Sequence, residues 1–134
     1  MRMLSLILIG IVALEHLYFL YLEMFVWTTK KTRRIFGTTE EFALASKSLA
    51  ANQGVYNGFL AAGLIWSLLQ SLIEYVGVGN FIPPPPVFAV QLKVFFLACV
   101  IVAAIYGAIS VKRSILFVQG VPAMLALAAT LMVG

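Results

Sequence analysis

Residues Met3–Trp27 read MLSLILIGIVALEHLYFLYLEMFVW, an apolar run that contains two carboxylic acids and one imidazole. A helix needs about 20 residues to cross the hydrocarbon core of a bilayer, so this run is long enough to span. A charge that faces lipid near the bilayer centre costs roughly 2.5–3.5 kcal/mol on insertion scales. We therefore predict a membrane-spanning helix on which Glu15, His16 and Glu23 face a protein interior or a water-filled cavity.

The composition supports a membrane protein. Of the 134 residues, 63% are hydrophobic and 10% are charged, and the mean hydropathy is +1.05. Soluble domains average about 45–50% apolar and about 25% charged residues, so this chain lacks the charges to cover a soluble surface. We expect no cleaved signal peptide, because the first apolar run is too long and lacks a small-residue cleavage pattern.

Other features of the composition exclude two further classes. The net charge is +4, but the basic residues cluster in short segments beside apolar runs, so we expect no nucleic-acid partner. The single cysteine, Cys99, lies inside an apolar stretch, which rules out an intrachain disulfide. Two glutamates, one histidine and one cysteine have no metal-ligand spacing, so we expect neither a metal nor a cofactor.

Hydrophobic periodicity and length predict an all-α integral membrane four-helix bundle that forms one domain over residues 1–134. Four consecutive proline residues, Pro83–Pro86, cannot lie inside a helix and predict a stiff extended connector. Gly77, Gly79 and Asn80 mark a turn just before it. The predicted spans are about residues 3–27, 48–73, 87–109 and 114–133.

The segment before the second span has a helix start signal of its own. Thr38 is followed three residues later by Glu41, which is a capping-box pattern. We expect a helix to begin there. Residues Glu40–Lys47 could lie at the membrane interface or extend the second span into the cytoplasm, and we favour one continuous helix. The result would be a long helix whose first two turns extend into the cytoplasm.

Lysine and arginine residues set the expected orientation. Between the third and fourth spans lie Lys112 and Arg113, whereas the opposite side offers Arg2. The positive-inside rule therefore places the first and third loops in the cytoplasm and both termini outside. The first loop and its helix carry Lys30, Lys31, Arg33, Arg34 and Lys47.

Counting residues inward from the cytoplasmic ends predicts a polar layer inside the bundle. His16 and Glu23 are seven residues apart and share a helix face, with Glu15 on its flank. These three are the candidates for acid–base catalysis and are also candidate ligand residues. The other candidate ligand residues are Asn52, Gln53, Tyr56, Asn57, Tyr106 and Gln119.

Each of these polar groups also has a structural interpretation. Glu23 could lie at the interface and pair with Arg33 or Arg34, and Glu15 with His16 could form a hydrogen-bonded pair that locks helices together. The asparagine and glutamine residues of the second span could serve helix–helix packing. Lys93 is expected to reach outward or to pair with Glu74.

Two local patterns predict helix geometry. Gly54 and Gly58 have the GxxxG spacing that permits close approach of two helices in lipid. Gln119 and Pro122 predict a helix irregularity, because proline frees a backbone carbonyl that must find another partner.

Several motifs resemble a known family. Ala13–Tyr18 (ALEHLY), Tyr21–Phe25 (YLEMF), Ala50–Gly63 (AANQGVYNGFLAAG) and Val118–Ala123 (VQGVPA) are similar to small membrane proteins catalogued as domain of unknown function 1304. The resemblance covers nearly the whole chain and implies a four-helix protein of the bacterial inner (plasma) membrane. It implies no activity, because the family is defined without one. The run of four prolines is not a feature of that family.

We consider three functions. The leading hypothesis is binding or transport of a small molecule or ion, with proton coupling through Glu15 or Glu23 and His16. Because four short helices make a thin bundle, a homo-oligomer is expected, surrounded by membrane lipids. The second is an enzyme that uses Glu15, His16 and Glu23 for isomerisation or proton transfer on a lipophilic substrate. The third is a structural or regulatory membrane subunit.

Overall fold

The computed structural model describes residues 2–76 and 86–132, and no strand occurs within these ranges. The prediction of an all-α protein is confirmed. A π-helical segment, Leu116–Gly120, leads directly into the last helix. The α-helices are α1 (Arg2–Met24), α2 (Lys30–Phe36), α3 (Glu40–Ala45), α4 (Lys47–Val76), α5 (Pro86–Ser110) and α6 (Val121–Leu131).

The four long helical segments pack in a ring. Helix α1 lies against α4 and α6, and α5 lies against the same two helices. Neighbours run antiparallel: Arg2 at the start of α1 pairs with Glu74 near the end of α4, and Trp66 on α4 stacks edge-on against Phe88 on α5. Aliphatic and alanine side chains fill the centre: Ile9, Val12, Ala13, Leu64, Leu97, Val100, Ala123 and Ala126.

Glycines on α4 let the helices approach closely. A methyl group added at Gly54 would lie 2.6 Å from Cγ of Met24, and one at Gly58 would lie 2.7 Å from Cδ1 of Leu20. A methyl group at Gly63 would overlap the Phe96 ring of α5. The close helix approach predicted from the Gly54–Gly58 spacing is therefore confirmed at the contact between α1 and α4.

Three helices are long and apolar enough to cross a membrane, namely Arg2–Met24, Lys47–Glu74 and Val87–Ser110. The fourth segment, Leu116–Leu131, is apolar but shorter. The predicted irregularity is present, since Val121 N–H bonds to the Leu116 carbonyl five residues earlier. Pro122 has no N–H and cannot form the usual hydrogen bond to the carbonyl four residues earlier. The wider π-helical turn lies directly before this missing hydrogen bond.

Two short helices, α2 and α3, connect α1 to α4, and we use "the cap" for residues 25–46. Helix α1 ends at Met24, three residues before the predicted end, because Trp27 turns back against α2. Its ring centroid is 4.9 Å from that of Phe36, and its Nε1 donates to Ser46 Oγ at 3.1 Å. Aromatic packing and one hydrogen bond therefore replace the last predicted turn of the span.

The predicted start of the cytoplasmic extension was wrong in two respects. The side chain that caps α3 is Thr39, which accepts from the Phe42 N–H at 3.2 Å, and not Thr38. Nor is the helix continuous, because it breaks at Ser46, whose hydroxyl donates to the Phe42 carbonyl at 2.6 Å. Serine hydroxyls compete in this way with backbone hydrogen bonds.

The predicted proline connector and the turn before it fall largely outside the described residues. Only Pro86 of the four prolines is described, and it is the first residue of α5. Proline is favoured at the first position of a helix, because its missing N–H would have no partner there.

Candidate functional site

A buried carboxyl–amide pair joins α1 to α4. Glu23 and Asn57 are each 8% exposed, and Asn57 Nδ2 donates to Glu23 Oε2 at 2.7 Å. The close approach of α1 to α4 at this pair depends on Gly54, since a methyl group there would lie 3.2 Å from Cβ of Glu23. Neither predicted partner pairs with Glu23 among the described residues, because Arg33 pairs with Glu40 at 3.0 Å and Arg34 is exposed.

His16 lies in the interior on the same face of α1. It is 1% exposed, and its Nδ1 is 2.8 Å from the Val12 carbonyl oxygen. A carbonyl oxygen only accepts, so Nδ1 must carry the hydrogen. In the neutral ring, Nε2 is then the basic nitrogen, which can accept a proton or a hydrogen bond. Phe19 packs edge-on against this ring.

Glu15 is half-buried beside His16 in sequence, and its carboxyl group is incompletely paired. Its Oε2 atom is buried and has no hydrogen-bond partner among the residues that the structure describes. A buried acceptor without a donor costs about 1–3 kcal/mol, and more when it is charged. The arrangement therefore offers a vacant acceptor to any group that can donate a hydrogen bond.

The polar groups of α1 lie at two levels. Seven residues separate His16 from Glu23, and at ~1.5 Å per residue their backbones are roughly 10 Å apart along the helix axis. A proton or a single ion cannot contact both levels at once. The structure thus divides the predicted site into a level with Glu15 and His16 and a level with Glu23 and Asn57.

Gln119 lies near the first of these levels. Ser5 Oγ and Thr130 Oγ1 are 2.8 Å apart, which sets the register between α1 and the antiparallel fourth segment. Ten residues on from Ser5 is Glu15, and ten residues back from Thr130 is Gly120. Gln119, which is half-buried on the π-helical segment, is therefore close to the level of Glu15.

The remaining candidate ligand residues are not part of the interior. Tyr56 is 56% exposed and Tyr106 is 72% exposed. Asn52 and Gln53 are also exposed, near the start of α4. The structure does not bring these four side chains to either buried level.

A second polar group lies near the other end of the bundle; the sequence offered Glu74 as a partner for Lys93, but it did not indicate the pairing of Arg2 with Glu74. Glu74 pairs with Arg2 at 3.5 Å, and its carboxylate also acts electrostatically on Lys93, which is only 7% exposed. Gln70 Oε1 and Glu74 Oε1 are buried without a hydrogen-bond partner among the described residues. The sequence did indicate that Ser5, three residues after Arg2, is buried, because Ser5 lies on the same face of the helix as His16.

No metal centre is assembled in the part of the chain that the structure describes. Within residues 2–76 and 86–132, no three His, Cys, Asp or Glu side chains are grouped to hold an ion. Cys99 is a free, half-buried thiol on α5.

Three long apolar helices with buried polar side chains define a helical protein whose structure is compatible with a membrane protein. The chain belongs to the family described as "Protein of unknown function (DUF1304)", which matches residues 10–131. It is 34% identical over 129 residues to the "Uncharacterized protein YpaA" of Lactococcus lactis subsp. lactis (strain IL1403), covering 95% of this chain and 96% of that relative. No solved structure matches the chain. The family suggested by the sequence motifs is thereby confirmed.

Proposed function

We propose that the protein is a multi-pass protein of the bacterial inner membrane, in which the four long helical segments form one transmembrane domain. The length and apolar character of α1, α4 and α5 support this placement. The lysine and arginine residues of the cap and of the turn after α5 favour their location in the cytoplasm, with both termini outside.

Within this domain, we assign to Glu15, His16, Glu23 and Asn57 the binding of a proton or a small polar or cationic ligand. The observation that carries this assignment is the buried, unpartnered Oε2 of Glu15. Ionisable groups in a span are costly and mark ion or proton pathways by default. A ligand that donates a hydrogen bond would restore the missing interaction.

The two levels suggest a sequence of binding events. A proton held by Glu15 can pass to Nε2 of His16, the next residue in the sequence, because Nε2 is the basic nitrogen of the neutral ring. Glu23, whose Oε2 is occupied by Asn57, forms the next acceptor toward the cap. We propose transport along this path, with a homo-oligomer completing it because four helices enclose little space.

The second candidate function is a structural role, and the observations favour it only for the pair Glu23 and Asn57. The hydrogen bond between Glu23 and Asn57 joins residues 34 positions apart on two helices, as a packing contact would. Glu15 makes no such contact through Oε2, so the structural interpretation does not account for it.

Proton transport through the purified protein tests the assignment. Vesicles containing a pH-sensitive dye and the reconstituted protein should acidify when a potassium gradient with valinomycin makes their interior negative. Glu15→Gln keeps the size of the side chain but cannot exchange a proton, so we expect it to reduce this flux at least about a hundredfold, the lower end of the range for a positioned acid–base group. Glu41→Gln, in the exposed part of the cap, is the matched control.

The outcome distinguishes transport from other roles. Equal acidification with wild type and Glu15→Gln would exclude Glu15 from the path. A wild type no faster than protein-free vesicles would contradict proton transport and leave ligand binding to be tested separately.

A further inference from the structure

One face of α2 is basic and free of ion pairs among the described residues. Lys30, Lys31 and Arg34 are all exposed, whereas Thr32 on the opposite face is 1% exposed. Arg33 is occupied by Glu40, so the ion pair that joins α2 to α3 leaves these three charges unpaired within the described residues. Between residues 30 and 47 the chain carries five basic and two acidic side chains.

Large apolar side chains accompany these charges on the surface of the cap. Ile35 on α2 is 42% exposed, and Phe42 and Leu44 on α3 are 56% and 62% exposed. Phe25, where α1 leads into the cap, is 68% exposed. Apolar surface of this kind is unfavourable against water, but it is typical of helices that lie in the interface of a bilayer.

We propose that the cap is a docking surface for anionic lipid headgroups, with α2 and α3 lying against the cytoplasmic face of the membrane. Lys30, Lys31 and Arg34 contact lipid phosphates, and the exposed Ile35 beside them on α2 enters the boundary between headgroups and acyl chains. Charge complementarity selects this partner, since the cytoplasmic leaflet is negatively charged and attracts basic segments next to a span. The inference rests on the membrane placement proposed above and is independent of the transport site.

The fold of the cap supports a rigid surface. Thr29 caps α2 through the Thr32 N–H, and Gly37 ends it in the left-handed conformation with φ 69°. Trp27 fixes the cap to Ser46 immediately before α4. Because this basic face is already rigid, lipid binding does not carry the entropy cost of ordering it.

Lipid selectivity measured on the whole protein tests this proposal. The protein is placed in bilayers of equal parts phosphatidylcholine and phosphatidylglycerol, released, and its bound lipids are counted by native mass spectrometry. Each lysine or arginine near an anionic surface changes the affinity about fivefold. We therefore expect Lys31→Gln/Arg34→Gln to lower the retained ratio of phosphatidylglycerol to phosphatidylcholine at least about tenfold.

The matched control removes the same two residue types from the turn after α5, as Lys112→Gln/Arg113→Gln. We expect a smaller loss from this variant than from Lys31→Gln/Arg34→Gln, because Lys112 and Arg113 lie in a turn and are not held on one helix face. An equal loss in both variants, or a wild type without preference for phosphatidylglycerol, would overturn the proposal. Alkaline extraction of the membranes tests the membrane placement separately from lipid docking. A protein that is washed off contradicts the membrane placement itself.

A fluorescent label gives a second measurement that does not depend on the charge substitutions. Ile35→Cys in a Cys99→Ala background carries one polarity-sensitive dye on the exposed face of α2. Its emission should shift to shorter wavelength in vesicles that contain phosphatidylglycerol, and high salt should reverse the shift by screening the charges. Identical emission in pure phosphatidylcholine vesicles would contradict docking.

Discussion

Gly63→Ala should lower the free energy of unfolding by about 1–3 kcal/mol, the usual cost of overpacking a tightly packed contact. The added methyl group would overlap the Phe96 ring and force α4 and α5 apart. Gly10→Ala on α1 is the matched control, because no atom lies within 4 Å of the methyl group added there. At that open position alanine should stabilise the helix by roughly 0.5–1 kcal/mol.

Replacing glycine with alanine should therefore lower the free energy of unfolding at Gly63 and raise it at Gly10. Far-UV circular dichroism of the reconstituted protein, followed through denaturant unfolding, measures both. Phe96→Leu combined with Gly63→Ala should recover part of the loss, since a smaller side chain admits the methyl group. Equal effects at Gly63 and Gly10, or no recovery in the double variant, would contradict the packing between α4 and α5.

Asn57→Leu should destabilise the protein by about 1–3 kcal/mol, because it leaves the buried Glu23 carboxyl group without the donor that it now has. Glu23→Gln keeps an acceptor oxygen for Asn57 Nδ2 and should cost less. Replacing both partners with leucine should recover much of the stability, since an apolar pair leaves no buried polar group unpaired. A double-mutant cycle on the unfolding free energies isolates this interaction.

Asn52→Leu provides the control on the same helix. Asn52 is exposed, so its replacement should change the stability by no more than about 0.5 kcal/mol. Additive effects of the Glu23 and Asn57 substitutions would show that the two side chains do not interact as the structure places them.

The interior of the bundle was largely predictable from the sequence, because periodicity determines which face of a helix is buried. His16 and Glu23 share a stripe at a spacing of seven residues, and both are buried. The pair Gly54 and Gly58 predicted a close helix contact, and the structure places Leu20 of α1 against it. Both inferences need only helical geometry.

The cap was less predictable, because tertiary contacts decide its helix boundaries. Two adjacent threonines could each cap α3, and sequence alone favoured Thr38 through its spacing to Glu41. The structure uses Thr39, next to the Glu40 that pairs with Arg33. Ser46 interrupts the helix where it also accepts the Trp27 hydrogen bond, a contact across 19 residues that no local pattern shows.

The site was predictable on α1 but not across the helices. Apolar residues cover several faces of α4, so its pattern could not tell the buried Asn57 from the exposed Asn52, Gln53 and Tyr56. No local pattern pairs Glu23 with Asn57, which are 34 residues apart in the sequence, yet their side chains form a hydrogen bond. The unpartnered oxygen of Glu15 is a property of its neighbours, which sequence alone does not give.

The most direct test of the central claim, that Glu15 is an intramembrane ligand carboxyl group, is carbodiimide mapping of the protein in intact vesicles. N,N′-dicyclohexylcarbodiimide partitions into the bilayer and reacts with carboxyl groups that it reaches there, and a water-soluble carbodiimide reports on carboxyl groups at the surface. Peptide mass spectrometry then identifies the modified residues. We predict that the apolar reagent modifies Glu15 and spares Glu23, whereas the water-soluble reagent modifies Glu41. A Glu15 that resists the apolar reagent, or that reacts with the water-soluble one as readily as Glu41, would contradict the claim.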